Sequence, residues 1–357
     1  MKFSNSSKYI SSTLISWYNF NKRELPWRDI NDPYKIWISE IILQQTRVNQ
    51  GLSYYQKFIE RFPTVIILAE ANEEEVLKYW QGLGYYSRAR NLHKAAQQII
   101  TAYNGIFPNK HNEVIKLAGI GEYTAAAICS FAYNQPYSVV DGNVYRVLSR
   151  LLGIETPIDS VIGKKQFASL AYELLDKSNP AIHNQAIMEF GAIQCVPVSP
   201  DCSTCCLKNN CKAYELNLIS FLPIKSKKIK VTHRFFNYFF IEFEGQTYLQ
   251  KRTEKDVWQH LYEFPLIELD HLLSTIEIYE NEQVKNLFEG ITDVQILKTT
   301  NPMKHVLTHR VIFAQFFTIK VSNENETIGK FLKVQLKDIE EYPVSRLMEL
   351  FIESKQH

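Results

Sequence analysis

The sequence predicts two domains of different class: a mostly helical one over residues 1–215 and an α+β one over residues 233–357, joined by a basic linker at 216–232. Three observations carry this. A chain of 357 residues is long enough for about two domains. Helical periodicity, punctuated by Gly and Pro, runs through the first part. Runs rich in aromatic and β-branched residues begin only after residue 220.

Taken in order, Ile10, Leu14 and Trp17 recur at helical spacing. Asp32-Pro33 opens a second helix, with a capping carboxylate and proline in the first turn. Further helices are expected near 51–61, 73–81, 86–103, 111–117, 122–133, 143–151, 163–176 and 182–192. The segment FLPIKSKKIKVTHR is basic and poor in helix signals, so it reads as the linker. Strands are expected over Phe235 to Phe243, Thr247 to Gln250 and Val311 to Lys320, with helices around 281–288 and 344–354.

The formal net charge of +2 does not by itself announce a nucleic-acid binder, although local basic clusters still could. No run approaches the roughly 18 apolar residues of a membrane span. The N-terminal segment MKFSNSSKYISS lacks the apolar core of a secretion signal, so a reducing cytoplasm is expected.

Cys195, Cys202, Cys205 and Cys211 are spaced C-x6-C-x2-C-x5-C. Four thiols in one short loop suit zinc or an iron–sulfur cluster, and the spacing alone does not choose between them. Two disulfides are the competing reading, disfavoured in a reducing compartment. Cys129 lies in the apolar run AAAICSFAY and reads as core; Cys206 reads as a bystander.

Four further segments bear chemistry. In DPYKIWISEIILQQT, residues 32–46, Glu40 shares a helix face with Ile36 and Trp37. A carboxyl group there must be paired or protonated, which makes it either a structural ion pair or a general acid of raised pKa. In LAGIGEYTAAAI, residues 117–128, Gly119 and Gly121 bracket one apolar residue before a helix. This is the core of a helix-hairpin-helix turn, whose N–H groups can hold a phosphate, but any tight interhelical turn could use it. In VVDGNVYRVLSR, residues 139–150, Asp141 stands at a helix entrance, as an ordinary cap or as an anion facing a developing positive charge. In QGLGYYSRARNLHKAA, residues 81–96, aromatics including Tyr85 precede Arg88, Arg90, His93 and Lys94, which fits either nucleic-acid contact or a solvated basic face.

The order of these motifs resembles the helix-hairpin-helix DNA glycosylases with an iron–sulfur cluster (the endonuclease III superfamily), and within it the adenine DNA glycosylases (MutY family). Three positions separate that family from endonuclease III: Glu40 in SEIILQQT, Tyr123 where the relative carries a catalytic lysine, and Asn143 in DGN. The resemblance implies a monofunctional enzyme that hydrolyses adenine from mispairs with 8-oxoguanine or guanine in double-stranded DNA. It implies Glu40 as the acid, Asp141 as the stabiliser of an oxocarbenium-like sugar, and Tyr123 and Asn143 as partners of Asp141. Trp27 and Arg28 match the adenine pocket. Gln44 lies in the same segment as Glu40, while Gln45 and Tyr85 match residues the family inserts around the 8-oxoguanine stack once the adenine is flipped out. The four cysteines become ligands of a [4Fe–4S] cluster, and the protein is expected to be a monomer.

The second domain resembles the Nudix-like lesion-recognition domain of that family. KRTEKDVWQHLYEFP stands for its arginine-to-phenylalanine-proline signature, and no Nudix pyrophosphatase box is present. The family's Phe-Ser-His loop reads Leu307-Thr308-His309 here, keeping a hydroxyl and a histidine. Two other readings stay open: a bifunctional glycosylase/lyase, disfavoured by Tyr123, and a noncatalytic iron–sulfur DNA-binding protein, disfavoured by Glu40 and Asp141 together.

Overall fold

The computed structural model describes residues 4–226 and 231–355. Residues 227–230 of the expected linker lie outside them. The first stretch is helical: α1 (Ser4–Asn21), α2 (Pro33–Leu43), α3 (Val48–Arg61), α4 (Val65–Glu70), α5 (Glu73–Tyr79), α6 (Ser87–Tyr103), α7 (His111–Val114), α8 (Glu122–Tyr133), α9 (Gly142–Leu152), α10 (Val161–Leu174), α11 (Pro180–Glu189) and α12 (Lys212–Glu215). The remainder holds β1 (Thr232–Glu242), β2 (Gln246–Lys251), β3 (Tyr262–Glu263), β4 (Leu266–Leu269), α13 (Glu277–Glu280), α14 (Glu282–Leu287), β5 (Val294–Thr299), β6 (Met303–Val306), β7 (Arg310–Val321), β8 (Leu332–Gln335) and α15 (Arg346–Glu353). Among the described residues no helix is long and apolar enough to cross a membrane.

The fold class is the one the sequence predicts. The chain separates into two compact units, Met1–Glu70 with Lys94–Lys227, and Ala71–His93 with Lys228–His357. The second unit therefore includes α5 and the GLGYY turn, which sequence order alone assigns to the helical part.

In the first unit, local chemistry starts the helices that matter most. The Asp32 carboxylate accepts from the N–H groups of Tyr34 and Lys35, and Pro33 fits the first turn of α2. Asp141 caps α9 by accepting from Val144 N at 2.8 Å. Leu14, Val144, Leu148, Phe167, Ala186 and Phe190 pack into one core that brings α1, α9, α10 and α11 together. Helix α11 does not simply stop near 192. It passes into a π-helix, Phe190–Gln194, immediately before Cys195. Such wider turns recur at functional positions because they re-aim the backbone.

In the second unit a five-stranded sheet runs β4-β1-β7-β5, with β6 also on β7; a second sheet runs β3-β2-β8. Strands β1 and β7 are parallel, with Thr232 opposite Arg310 and Glu242 opposite Lys320. Both are nearly continuous apolar runs because a central parallel pair is covered on both faces. Phe351 of α15 stacks on Phe316 of β7 with centroids 4.2 Å apart.

Candidate active site

Helices α2 and α8 are tied by two side-chain bonds. Tyr123 donates its hydroxyl to Glu40 Oε2 at 2.8 Å, and Gln44 Nε2 donates to Thr124 Oγ1 at 3.3 Å. Glu40 is 8% exposed among Ile36, Trp37 and Ile41, which are buried. Burial raises its pKa to about 7; the Tyr123 bond works against the rise and the charge of Asp141 adds to it. The sequence reading paired Tyr123 with Asp141. The structure gives its hydroxyl to Glu40 instead, since position two of α8 faces α2.

Asp141 is held differently. Burial raises its pKa too, but the Val144 N–H, the Asn143 amide and the Arg146 guanidinium oppose that rise. Asn143 Nδ2 donates to Asp141 Oδ2 at 2.7 Å, as expected for that pair. Three groups thus favour the charged form of Asp141, against one for Glu40. Both carboxyls are raised by burial, and the rise is more heavily opposed at Asp141 than at Glu40.

Arg28 lines the same cavity as Glu40 yet does not pair with it. Glu189 takes two of the guanidiniums that line the cavity: Arg28 Nη2 lies 2.5 Å and Arg23 Nη2 2.7 Å from Glu189 Oε2. Burial alone would raise Glu189; bonds from Arg23 and Arg28 overturn that and hold it at about 2. Sequence reasoning missed Glu189, Arg146 and Arg150. A glutamate at the end of an apolar helix was the available signal for Glu189, but its partners lie about 160 residues away in the chain.

The cavity measures about 820 Å³ and is lined by Trp27, Arg28, Glu40, Gln44, Gln45, Tyr123, Asp141 and Asn143, among others. A purine fits a space of this order. Gln45 leaves α2 with φ 57°, an uncommon backbone for a non-glycine residue, and is exposed. Gly119 (φ 74°) makes the hairpin turn, buried Ile120 anchors it, and Gly121 caps α8. Gly119 and Gly121 are both exposed, so the turn is open to solvent on either side of Ile120.

In the second unit, Tyr85 (φ 48°, 51% exposed) meets Thr308, with its hydroxyl 2.5 Å from Oγ1. His309 is exposed beside it, and all three line a separate cavity of about 560 Å³ with Trp258 and Arg310. Arg88 departs from the expected exposed basic face. It is buried, lies over the Trp80 and Tyr85 rings, and donates to Leu83 O and Gly84 O. The turn's own carbonyls take the guanidinium, so Arg88 shapes the turn. Arg90 likewise donates to Gln259 O at 2.7 Å, and His93 is buried.

Cys195, Cys202, Cys205 and Cys211 all line one apolar cavity, and Cys206 does not. The thiols are unbridged. Arg150, 2% exposed, fixes the loop by donating to Val196 O, Pro197 O and Cys195 Sγ. Among the described residues no three Cys, His, Asp or Glu form a group that could hold a single metal ion. Four thiols lining one apolar cavity are a donor set of the kind that zinc or an iron–sulfur cluster takes.

This loop reaches the carboxylates through Arg146, which donates to Cys195 O at 2.8 Å, Gly191 O at 2.7 Å and Asn143 Oδ1 at 2.9 Å. A Cβ on Gly191 would stand 2.7 Å from Asn143 Cβ, so only glycine lets the π-helix lie against the start of α9.

Residues 38–170 match the family described as HhH-GPD superfamily base excision DNA repair protein, and residues 237–354 match the NUDIX domain. The adenine DNA glycosylase of Buchnera aphidicola subsp. Baizongia pistaciae (strain Bp) is 36% identical over 329 residues, 88% of this chain and 89% of that one. A thermostable thymine-DNA glycosylase superposes with a TM-score of 0.56 at 29% identity, covering 60% of this chain and 100% of that one. A non-covalent endonuclease III–DNA complex superposes at 0.53 with 23% identity over 61% of this chain and 99% of that one, a likeness of fold alone.

Fold and site together define a helix-hairpin-helix DNA glycosylase with a Nudix-like second domain. More narrowly, the chain belongs to the adenine DNA glycosylase family.

Gly191→Ala is expected to push Asn143 off Asp141, costing about 1–3 kcal/mol in packing and at least roughly tenfold in base release. Single-turnover kinetics check this. A rate within about twofold of wild type would show that the close approach is dispensable.

Proposed function

We propose that the first unit hydrolyses the N-glycosidic bond of adenine mispaired with 8-oxoguanine or guanine in double-stranded DNA, without a lyase step. The observation that carries this is Glu40: a buried carboxyl group with a tyrosine hydroxyl on it, in a cavity where Arg23 and Arg28 are held by Glu189. An adenine turned out of the duplex enters the cavity between Trp27, Gln44 and Glu40. Neutral Glu40 gives its proton to the base, at N7 by the family resemblance. The C1′–N9 bond then breaks, its electron pair leaving with the protonated adenine. Asp141, ionised, stabilises the positive sugar left behind. Water bonds to C1′ and its proton passes to a carboxylate.

Absence of a lyase step is supported by Tyr123, which has no amine to form a Schiff base. Among the described residues lining the cavity none is a lysine. Recognition of 8-oxoguanine is supported by the Tyr85–Thr308 pair and by His309 beside it. Gly119 and Gly121 are positioned to hold a phosphate by their N–H groups. Cys195, Cys202, Cys205 and Cys211 would hold a [4Fe–4S] cluster. Bound there, it would take the four sulfurs as thiolates, against the burial that resists ionisation of Cys202, Cys205 and Cys211, and lock the loop that Arg150 and Arg146 contact.

The test is single-turnover cleavage of duplex DNA with adenine opposite 8-oxoguanine. Alkali-dependent cleavage at the adenine and no borohydride-trapped imine are expected. Release of oxidised pyrimidines, or a trapped imine, would overturn the reading.

Glu40→Gln should lower the rate by about two to four orders of magnitude. Because the protonated form of Glu40 is the active one, the rate should fall as pH rises through about 7. The Tyr123 bond lowers that pKa, so Tyr123→Phe should move the limb to higher pH. A limb that stays in place, or moves down, would contradict the assignment.

Cys202→Ser should yield protein with less iron and without the brown colour expected of the wild type. Colourless wild-type protein containing zinc would exclude the cluster.

A further inference from the structure

Tyr85 projects from a turn that is not rigid by sequence alone, because Gly82 (φ 91°) and Gly84 (φ 72°) both lie within it. The two feet of this turn grip a single residue of the C-terminal segment. At one foot, Gln81 Oε1 accepts from Val344 N at 3.2 Å. At the other, Tyr86 donates its hydroxyl to Val344 O at 3.2 Å and accepts from Gly82 N at 3.3 Å. Val344 is buried, and its neighbour Pro343 offers its carbonyl to Tyr262 N at 2.9 Å, which fixes the segment to β3.

Gln81 is the more heavily used foot. Besides Val344, its Oε1 accepts from Lys78 Nζ at 3.2 Å, and its Nε2 donates to Glu349 Oε1 of α15 at 3.0 Å. Both ends of one amide are thereby committed, and the amide cannot be turned over without breaking the set. Arg346 holds the other oxygen of Glu349 at 2.7 Å. All of these residues belong to the second unit.

We propose that Gln81 is a positioning residue for discrimination of the base opposite adenine: it sets the register of the 82–86 turn on Val344 and α15, and so places the Tyr85 hydroxyl on Thr308. Resting on the reading of the second unit as the sensor of 8-oxoguanine, the inference adds that the sensor is composite. Residues 71–93 are a working part of it, although the rest of the unit begins only at Lys228. Gln81 itself does not line the cavity that holds Tyr85, Thr308 and His309, so its effect is exerted through Tyr85. A shift of about 1 Å at a recognition group can cost on the order of a hundredfold.

The experiment compares full-length wild type, Gln81→Met and the double variant Gln81→Glu/Glu349→Gln. Single-turnover rates are measured at saturating enzyme on duplexes with adenine opposite 8-oxoguanine and opposite guanine. Methionine keeps the side-chain length and removes the bonds to Val344, Lys78 and Glu349. The double variant rebuilds them with donor and acceptor exchanged between α15 and the turn. Its carboxylate at position 81 accepts from Val344 N, from Lys78 Nζ and from the new amide at position 349, whose oxygen still accepts from Arg346. Expected is a loss of about tenfold in the 8-oxoguanine-over-guanine preference for Gln81→Met. Its rate opposite guanine should stay within about twofold of wild type, since catalysis resides in the first unit, and the preference should recover in the double variant. An unchanged preference in Gln81→Met overturns the inference. So does an equal fall on both duplexes, or a loss that the double variant fails to repair, because general damage explains either. A wild type without any preference would instead sink the reading of the second unit as the sensor, whatever the variants do.

Discussion

A carboxyl group buried beside tryptophan and isoleucine has two stable options: to find a cation or to keep its proton. For Glu40 burial pushes the pKa up to about 7, and among the described residues no cation is paired to it. Its side-chain hydrogen-bond partner among the described residues is a neutral hydroxyl. Two of the arginines that line the cavity, Arg23 and Arg28, are spent on Glu189, which is buried enough to hold them and charged enough to keep them. Remove that second glutamate, and two guanidiniums would be left seeking an anion at the edge of the site. The proposed division between acid and anion therefore rests on three carboxyl groups, Glu40, Asp141 and Glu189, each in a different environment.

Asp141 shows how a structural device becomes a chemical one. Capping α9 is enough to explain an aspartate at that position. Yet only one oxygen is occupied by the Val144 N–H; the other receives Asn143, which Arg146 holds in turn. Arg146 also binds the carbonyls of Gly191 and Cys195, so the cysteine loop, the π-helix and the α9 entrance share one guanidinium. Order in the loop and order at the carboxylate are linked by contact.

Much of this was legible in the residues. Helical spacing located α2 and α8, the Asp32-Pro33 pair fixed where α2 begins, and the apolar neighbours of Glu40 exposed its predicament. What escaped was long-range or short. Strands β3 to β6 and β8 have two to six residues each, too few for an alternating pattern to stand out. Arg88 looked like a surface cation because its periodicity is ordinary; its burial depends on carbonyls freed by a glycine turn just before it. The family resemblance placed Tyr123 near the site and paired it with Asp141, whereas its hydroxyl goes to Glu40. Glu189 and Arg146 act through partners distant in sequence or on irregular backbone, where no periodic signal exists.

The most direct test is a titration of Glu40 itself in the folded, DNA-free protein. Carboxyl carbon-13 resonances of glutamate-labelled protein, with Glu40→Gln supplying the assignment, would report its protonation. The account predicts a midpoint near pH 7 for this one resonance. A midpoint close to the ordinary glutamate value of 4.5 would mean that Glu40 is ionised under working conditions and is not the proton donor.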